Sequence, residues 1–474
     1  MSLTNPSNFR KSRAERQEIW QVTLDQIEQF YQNLPDLPVT PPLDPQAIRA
    51  ELSRFTFESP LDPHEVIGAV CDGLTRWQVH TPHSGYFGLF NPAPSTMGIV
   101  ADQLVAAFNP QLAAWSHSPF ANEVERHLVH AIGSRFGYKA PYLDGTFCSG
   151  GAEANHTAVL AALVHTFPAF SEQGVQALAG QPVFYVSRQS HHSFVKAARF
   201  CGLGTRSVRE IDHDRDYKMD MNALKAQIEK DRQSGYLPFL LVATAGTTSG
   251  GIIDPVEPMS ELARQYGLWL HVDSAWGGAA AFVPELKPHL GPIHRADSIT
   301  FDCHKWMSVP MGAGLFLTLH PEILNKTCHM ATEYMPRDGR GLDVVDPYTH
   351  SLQWSRRFIG LKVFMTLAQS GWAGYESTIR HQAEMGVLLK AKLVQAGWQV
   401  VNDTPLPVVC FHSGDPQQSF QIAQAVNEGG SSWISGTYLD PEIPVIRACI
   451  TNFETQPEDL DRLITALDKT RNSL

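Results

Sequence analysis

No apolar run in this 474-residue chain approaches the roughly 18 residues of a membrane-spanning helix, so no membrane partner is expected. Basic excess is missing too: 37 Lys and Arg stand against 48 Asp and Glu, a net charge of −11. A nucleic-acid binder needs cations to neutralise phosphates, so nucleic acid is excluded as the main partner. Cysteine is sparse and unpatterned: seven residues, Cys71, Cys148, Cys201, Cys303, Cys328, Cys410 and Cys449, with no CxxC spacing. An odd, scattered set argues against a disulfide framework or a thiolate metal site and for reduced, mostly buried thiols. The N-terminal stretch lacks the apolar core of a signal peptide, which makes the cytoplasm the expected compartment. Internal repeats and low-complexity segments are absent, and no metal site is expected.

What is present is the composition of a globular protein, 43% apolar and 18% charged, long enough for two or three domains. The informative stretch is 297–310, DSITFDCHKWMSVP. Ser298, Ile299, Thr300 and Phe301 form a short β-prone run that reads as a buried strand. It leads directly into Asp302, Cys303, His304 and Lys305. A second apolar run, 268–272, ends in Asp273, Ser274, Ala275 and Trp276. In α/β folds, chemistry gathers at strand ends. One strand thus delivers an amine and the other a carboxylate. That pair suits pyridoxal 5′-phosphate (PLP), with the lysine as covalent anchor and the aspartate holding the pyridine nitrogen protonated. Singly, each is an ordinary solvated charge or turn residue.

Apolar spacing predicts a helix over 13–34, a proline-rich extended linker over 35–45 and a further helix over 63–77. Residues 83–101 are rich in Gly, Pro and aromatics and read as an irregular, pocket-building loop. Gly150 and Gly151 open an apolar helix after a short strand, where backbone N–H groups and the helix dipole would favour an anion. Strands are predicted at 183–187, 239–243 and 314–318, with a helix at 259–266 returning the chain to 268; this βαβ order predicts a mostly parallel sheet. His191 and His192 open a helix. The polar stretch 328–347 reads as a mobile lid. Beyond it, helices are expected from 355 to about 370 and from 375 to 393, then strands at 398–401, 408–411 and 445–450. A last helix is expected to be capped by Thr455 and Glu458. The implied division is an N-terminal helical segment, 1–90, a large α/β domain, 91–370, and a small C-terminal α+β domain, 371–474.

Five motifs now stand in order: SGGAEAN at 149–155, TAGTTSGG at 244–251, HVDSAWGG at 271–278, DCHKW at 302–306 and SRRFIGLK at 355–362. Together they resemble the group II PLP-dependent amino-acid decarboxylases, from about residue 83 to 467. The resemblance implies the fold-type I, aspartate-aminotransferase-like scaffold and decarboxylation of an L-amino acid to an amine and CO2. A decarboxylation-linked aldehyde synthase or another Cα lyase is the alternative, and a non-catalytic homologue the remote one. It also implies roles. Lys305 would carry PLP, Asp273 would pair with the pyridine nitrogen, Ala275 would pack under the ring and His191 would stack over it. Gly151, Ala152 and His304 would hold the phosphate, with Asn155 and Thr244 as second contacts. Cys148, Ser149 and Asp302 would reach the pocket wall. Tyr348, with Tyr334 in reserve, would return the proton to Cα, and His191 is a further donor candidate. Phe90, Asn91 and Pro92 would line the substrate pocket, where an amide at 91 suits a polar side chain better than an indole. Arg356, Arg357 and Arg447 are cationic candidates for a substrate carboxylate. A homodimer with its active site at the interface is expected.

Overall fold

A computed structural model of the protein describes residues 9–330 and 342–474. Three helices lead the chain: α1 (Arg13–Asn33), α2 (Pro45–Leu52) and α3 (Pro63–Arg76). A capping box closes the head of α1, with Ser12 Oγ accepting from the Glu15 N–H and the Glu15 carboxylate accepting from the Ser12 N–H. Asp44 and Asp62 cap α2 and α3, each with proline as first helical residue. The stretch expected to be an extended linker is therefore shorter: Leu34–Asp36 forms a 3-10 turn and Pro45 already belongs to α2. Likewise α4 (Thr96–Phe108) starts inside the expected loop 83–101, where the Ser95 hydroxyl accepts the Gly98 N–H. α5 (Pro119–Phe136), not foreseen, follows and ends on Gly137 at φ 95°.

Seven strands form the main sheet: β1 (Asp144–Cys148), β2 (Pro182–Ser187), β3 (Val208–Ile211), β4 (Leu237–Thr244), β5 (Trp269–Asp273), β6 (Ser298–Asp302) and β7 (Gly314–Thr318). Their order is β1-β7-β6-β5-β4-β2-β3. The pairs β3/β2, β2/β4, β4/β5 and β5/β6 are parallel, and β7 runs antiparallel between β6 and β1. Around the sheet pack α6 (Gly151–Thr166), α7 (Phe170–Gln173), α8 (Ser193–Phe200), α9 (Met221–Gln233), α10 (Val256–Tyr266) and α11 (Ile323–Cys328).

Side-chain alternation divides the core in two. Phe184, Val186, Leu240, Val242 and Trp269 face Ala154 and Ala158 of α6 and Phe194 of α8. Their neighbours Val183, Tyr185, Leu241, Ala243, Leu270 and Val272 face Leu224 of α9, Met259 of α10 and Phe136 of α5. Burial on both faces is why these strands read as unbroken apolar runs in the sequence.

Beyond the sheet, α12 (Gly360–Gln395) is broken at Gly371, whose φ of 63° and ψ of 175° interrupt the helix. A second sheet of order β10-β11-β9-β8 follows, built from β8 (Gln399–Val400), β9 (Val408–His412), β10 (Ser435–Asp440) and β11 (Ile443–Cys449). It packs with α13 (Ser419–Glu428) and α14 (Pro457–Arg471). β10 and α13 were not foreseen. The cap of α14 lies one residue later than expected: Gln456 and Asp459 form the box, because Pro457 is the first helical residue and the N-cap must precede it.

One buried ion pair joins three elements. Arg356 Nη1 donates to Glu125 Oε2 at 2.5 Å and Nη2 to the Phe147 carbonyl at 2.9 Å, while Glu125 Oε1 accepts the Gly360 N–H at 2.8 Å. Thus α5, the end of β1 and the start of α12 meet on two side chains that are 4% and 5% exposed. Glu125→Ala would strand the buried guanidinium and is expected to cost about 3–5 kcal/mol. Chemical denaturation of the purified variant checks this; an unchanged midpoint would mean that the pair contributes nothing.

Candidate active site

Register brings the chemistry together. Thr244 of β4 pairs with Asp273 of β5, and Asp273 with Thr300 of β6, so the three strands end along one edge. The loops beyond them are tied: the Ser274 N–H donates to the Thr300 carbonyl at 3.1 Å and the Asp302 N–H to the Ala275 carbonyl at 2.8 Å. Lys305 follows in a tight turn, its N–H donating to the Asp302 carbonyl, and its Nζ lies 3.1 Å from Asp302 Oδ2. Gly151, Ala152, Asn155, His191, Thr244, Asp273, Ala275, Asp302 and Lys305 line one pocket at this edge. A larger cavity of about 540 Å³ lies between α5, β1 and residues 343–350, away from Lys305.

Asp273, 4% exposed, is held on both oxygens. Asn155 Nδ2 donates to Oδ2 at 2.8 Å and the Ala275 N–H to Oδ1 at 3.1 Å. Behind Asn155 runs a buried hydrogen-bond chain that the sequence did not announce. Asn155 Oδ1 lies 3.2 Å from His271 Nε2, His271 Nδ1 lies 2.8 Å from Ser298 Oγ, and Trp269 Nε1 donates to Ser298 Oγ at 2.8 Å. An amide oxygen only accepts, so His271 donates through Nε2 and accepts at Nδ1 from the Ser298 hydroxyl. His271 is thus neutral, and complete burial pushes its imidazole down to about 4. The chain fixes the Asn155 amide with its N–H groups toward Asp273. The signal available was alternation: His271 and Asp273 are two apart on β5 and share a face.

A helix start such as the head of α6 favours an anion. Gly150 offers no side-chain cap. A Cβ on Gly151 would lie 2.8 Å from Asp302 Oδ2 and 3.3 Å from the Ala275 Cβ, so only glycine brings the helix start this close to the strand ends. His304 sits beside Gly150, its Nδ1 accepting the Ala313 N–H at 3.0 Å. Burial, reinforced by Lys305 against the opposing pull of Asp302, holds its imidazole below the usual range.

His191 is exposed on one side, yet the surrounding protein desolvates it enough to lower its proton affinity; Asp273 opposes this and Lys305 adds to it. Its Nδ1 accepts the Ser193 N–H at 3.2 Å, which leaves Nε2 as a donor without a hydrogen-bond partner among the described residues. Thr244 Oγ1 meets Ser190 Oγ at 3.0 Å.

Of the expected substrate residues, Phe90 reaches the site: it stacks on Trp276 at 4.4 Å, with Lys305 Nζ 5.7 Å and Arg447 Cζ 4.7 Å from its ring centre. Pro92 is buried nearby in sequence, and the Asn91 amide oxygen accepts the Tyr86 hydroxyl at 2.9 Å. The three arginines separate. Arg356 is committed to Glu125 and Arg357 pairs with Asp102 at the surface. Arg447, 2% exposed, donates through Nε to the Thr248 carbonyl and through Nη1 to the Gly88 carbonyl, and its Nη2 has no partner among the described residues. Tyr348 packs on Trp354 with ring centres 5.0 Å apart, and its N–H donates to the Ala113 carbonyl. Tyr334 lies outside the described residues, as does 331–341 of the expected lid; 342–346 has no regular structure.

The sequence model of the pyridoxal-dependent decarboxylase conserved domain matches residues 47–413. The chain belongs to this family. This pyridoxal-dependent decarboxylase is 29% identical over 465 residues to an aromatic-L-amino-acid decarboxylase of Bacillus atrophaeus, covering 96% of this chain and 95% of that protein. It is 26% identical to a 4-hydroxyphenylacetaldehyde synthase of Rhodiola rosea, covering 96% and 94%. The crystal structure of Oryza sativa TDC with PLP and tryptamine matches with a TM-score of 0.91 at 22% identity over 98% of each chain, a likeness of fold. The reaction of the decarboxylase is PLP-dependent decarboxylation of an amino acid.

The residues present fit PLP. The glycine start of α6 is a cradle that a Cβ would fill, and Asp302 Oδ1 and Arg447 Nη2 are buried polar atoms without partners among the described residues. Bound there, PLP supplies an electron sink for the charge left at Cα when CO2 departs.

The neutral histidine gives a pH signature. Folded His271 takes its proton near 4, against an ordinary value of 6.5. Between those values the unfolded chain binds the proton and the folded chain does not, so stability falls as pH falls, by up to about 1.4 kcal/mol per pH unit. His350, also lowered to about 4, acts the same way. Asp144 and Asp254, raised by burial to about 6, act oppositely, adding stability as pH falls through 6. His271→Asn is expected to lose less thermal stability than the parent between pH 7 and pH 5; parallel melting curves would show this account of His271 to be wrong.

Proposed function

We propose that the decarboxylase converts an L-amino acid to the corresponding amine and CO2, with Lys305 as the cofactor-bearing lysine. The observation that carries this is the convergence of Lys305, Asp273 and the Gly151 turn at one strand edge. Asp273, oriented by Asn155 and Ala275, would hold the pyridine nitrogen protonated; Ala275 and His191 would bracket the ring. Gly151, Ala152 and His304 would take the phosphate, and Thr244 would steady the ring's edge. Arg447 is the cation we assign to the substrate carboxylate, supported by its unpartnered Nη2 and its place over Phe90. Phe90, with Asn91 and Pro92 beyond it, would form the pocket wall.

For the proton returned to Cα we keep Tyr348, whose ring packs on Trp354, with Tyr334 in reserve and His191 Nε2 as a further source. A homodimer is supported by α1 and α3, which bury no residue fully and leave Trp20, Leu24, Val70 and Leu74 about half exposed. The break at Gly371 supports a boundary there between the large and small domains, and α1, α2 and α3 support an N-terminal helical segment. Among the described residues no helix is long and apolar enough to cross a membrane, and seven free cysteines, four of them buried, suit the cytoplasm.

A panel of amino acids assayed for CO2 and amine tests the reading. One amine per CO2, without aldehyde or ammonia, is expected; aldehyde with ammonia would favour the synthase alternative. On the best substrate, Arg447→Ala is expected to lower kcat/KM roughly 10- to 100-fold, mainly through KM. Tyr348→Phe is expected to reduce amine formation more than Tyr334→Phe does; the reverse order would move the role to Tyr334.

A further inference from the structure

Asp302 is 1% exposed and only half satisfied. Its Oδ2 lies 3.1 Å from Lys305 Nζ and 3.8 Å from His304 Nε2, but Oδ1 has no hydrogen-bond partner among the described residues. A buried carboxylate oxygen left unpaired is costly, so its persistence calls for a ligand that completes it. Both oxygens lie under the glycine turn. A Cβ on Gly151 would come within 2.8 Å of Oδ2, and one on Gly314 within 2.8 Å of Oδ1 and 2.6 Å of the Gly150 Cα. The carboxylate therefore sits against the helix start assigned above to the cofactor phosphate, and this inference rests on that assignment.

Two anions would then meet where little water screens them. The groups around Asp302 do not offset this. Cys148 at the end of β1, Cys303 beside it and His191 before α8 all sense its charge, and Asp273 lines the same pocket. His191 and His304 are both shifted toward neutrality. Lys362, which faces His304 from α12, is paired with Asp102 at 2.9 Å, and Arg356 with Glu125. Among the described residues Lys305 is the remaining cation, and it is the group that the cofactor claims.

We infer that Asp302 makes cofactor loading proton-linked: PLP binding takes up one proton from solvent, which then bridges Asp302 Oδ1 and a phosphate oxygen. A shared proton turns the like-charge contact into a short charge-assisted O–H···O hydrogen bond and satisfies the orphaned oxygen. Asp302 is thus a positioning residue for the phosphate and sets how tightly PLP is held as pH changes.

The test uses the full chain stripped of PLP, titrated calorimetrically at pH 7.5–9 in buffers of differing ionisation enthalpy. There the free phosphate, with a second pKa of about 6, is a dianion. Pyridoxal, which lacks the phosphate, is titrated in parallel to subtract the protons exchanged at Lys305. PLP is expected to take up about one proton more than pyridoxal, and its Kd to weaken about tenfold per pH unit relative to pyridoxal. Asp302→Asn is expected to abolish the extra proton and to flatten that slope, so that PLP binds at least tenfold tighter to the variant than to the parent at pH 9. Equal proton uptake for PLP and pyridoxal in the parent chain overturns the inference without recourse to any variant. So does an Asp302→Asn protein that keeps the extra proton. If PLP binds no better than pyridoxal, the phosphate assignment itself falls, and the inference with it.

Discussion

The shared edge of β4, β5 and β6 is the constraint on which the rest depends. Thr244, Asp273 and Thr300 are matched across parallel strands, and Asp302 and Lys305 follow within five residues. A slip of one residue in β5 would turn Asp273 to the opposite face and bring Val272 toward Asn155. The register is held by burial on both faces: β4 and β5 split their apolar side chains between two cores, while β6 gives Ile299 and Phe301 to one core and buries Ser298, Thr300 and Asp302 on its other face. Packing far from the chemistry therefore decides where the carboxylate and the amine point.

Charge inside this edge is managed by orientation. Asp273 is kept by two hydrogen bonds, and the amide that gives one of them is aligned by a neutral relay through His271, Ser298 and Trp269. Every member of that relay is buried and satisfied, which makes it rigid. Asp302 and Arg447 differ: each keeps one polar atom without a partner among the described residues. Unpartnered buried atoms also occur away from this edge, Gln382 Oε1 and Ser432 Oγ among them, so what sets these two apart is their place beside Lys305 and over Phe90. The satisfied relay fixes Asp273, and those two unsatisfied atoms are where we propose that cofactor and substrate are received.

Much of this was legible in the sequence, for identifiable reasons. Strands buried on both faces leave nearly continuous apolar runs, so β2, β5 and β7 appeared within a residue or two of their limits; β6 did so as a β-prone alternation, with Asp273 and Lys305 at the strand ends. Local signals failed where they conflicted. Pro92 and Pro94 carry a turn-like pattern right up to Ser95, which hid the cap of α4, and Gly98 in the first turn weakened the helical signal beyond it. In β10, only Leu439 is fully buried, so the strand has little apolar signature. The roles of Asn155, His271 and Ser298 depend on contacts between residues more than 100 positions apart or on neighbouring strands, which no local pattern encodes. The choice among Arg356, Arg357 and Arg447 likewise needed their partners, Glu125, Asp102 and two backbone carbonyls.

The central claim is that one lysine at the end of β6 carries the cofactor. Borohydride reduction of the PLP-loaded protein, followed by peptide mass mapping, tests it most directly. A single pyridoxyl adduct is predicted, on the peptide that contains Lys305. An adduct on another lysine, or none, would contradict it.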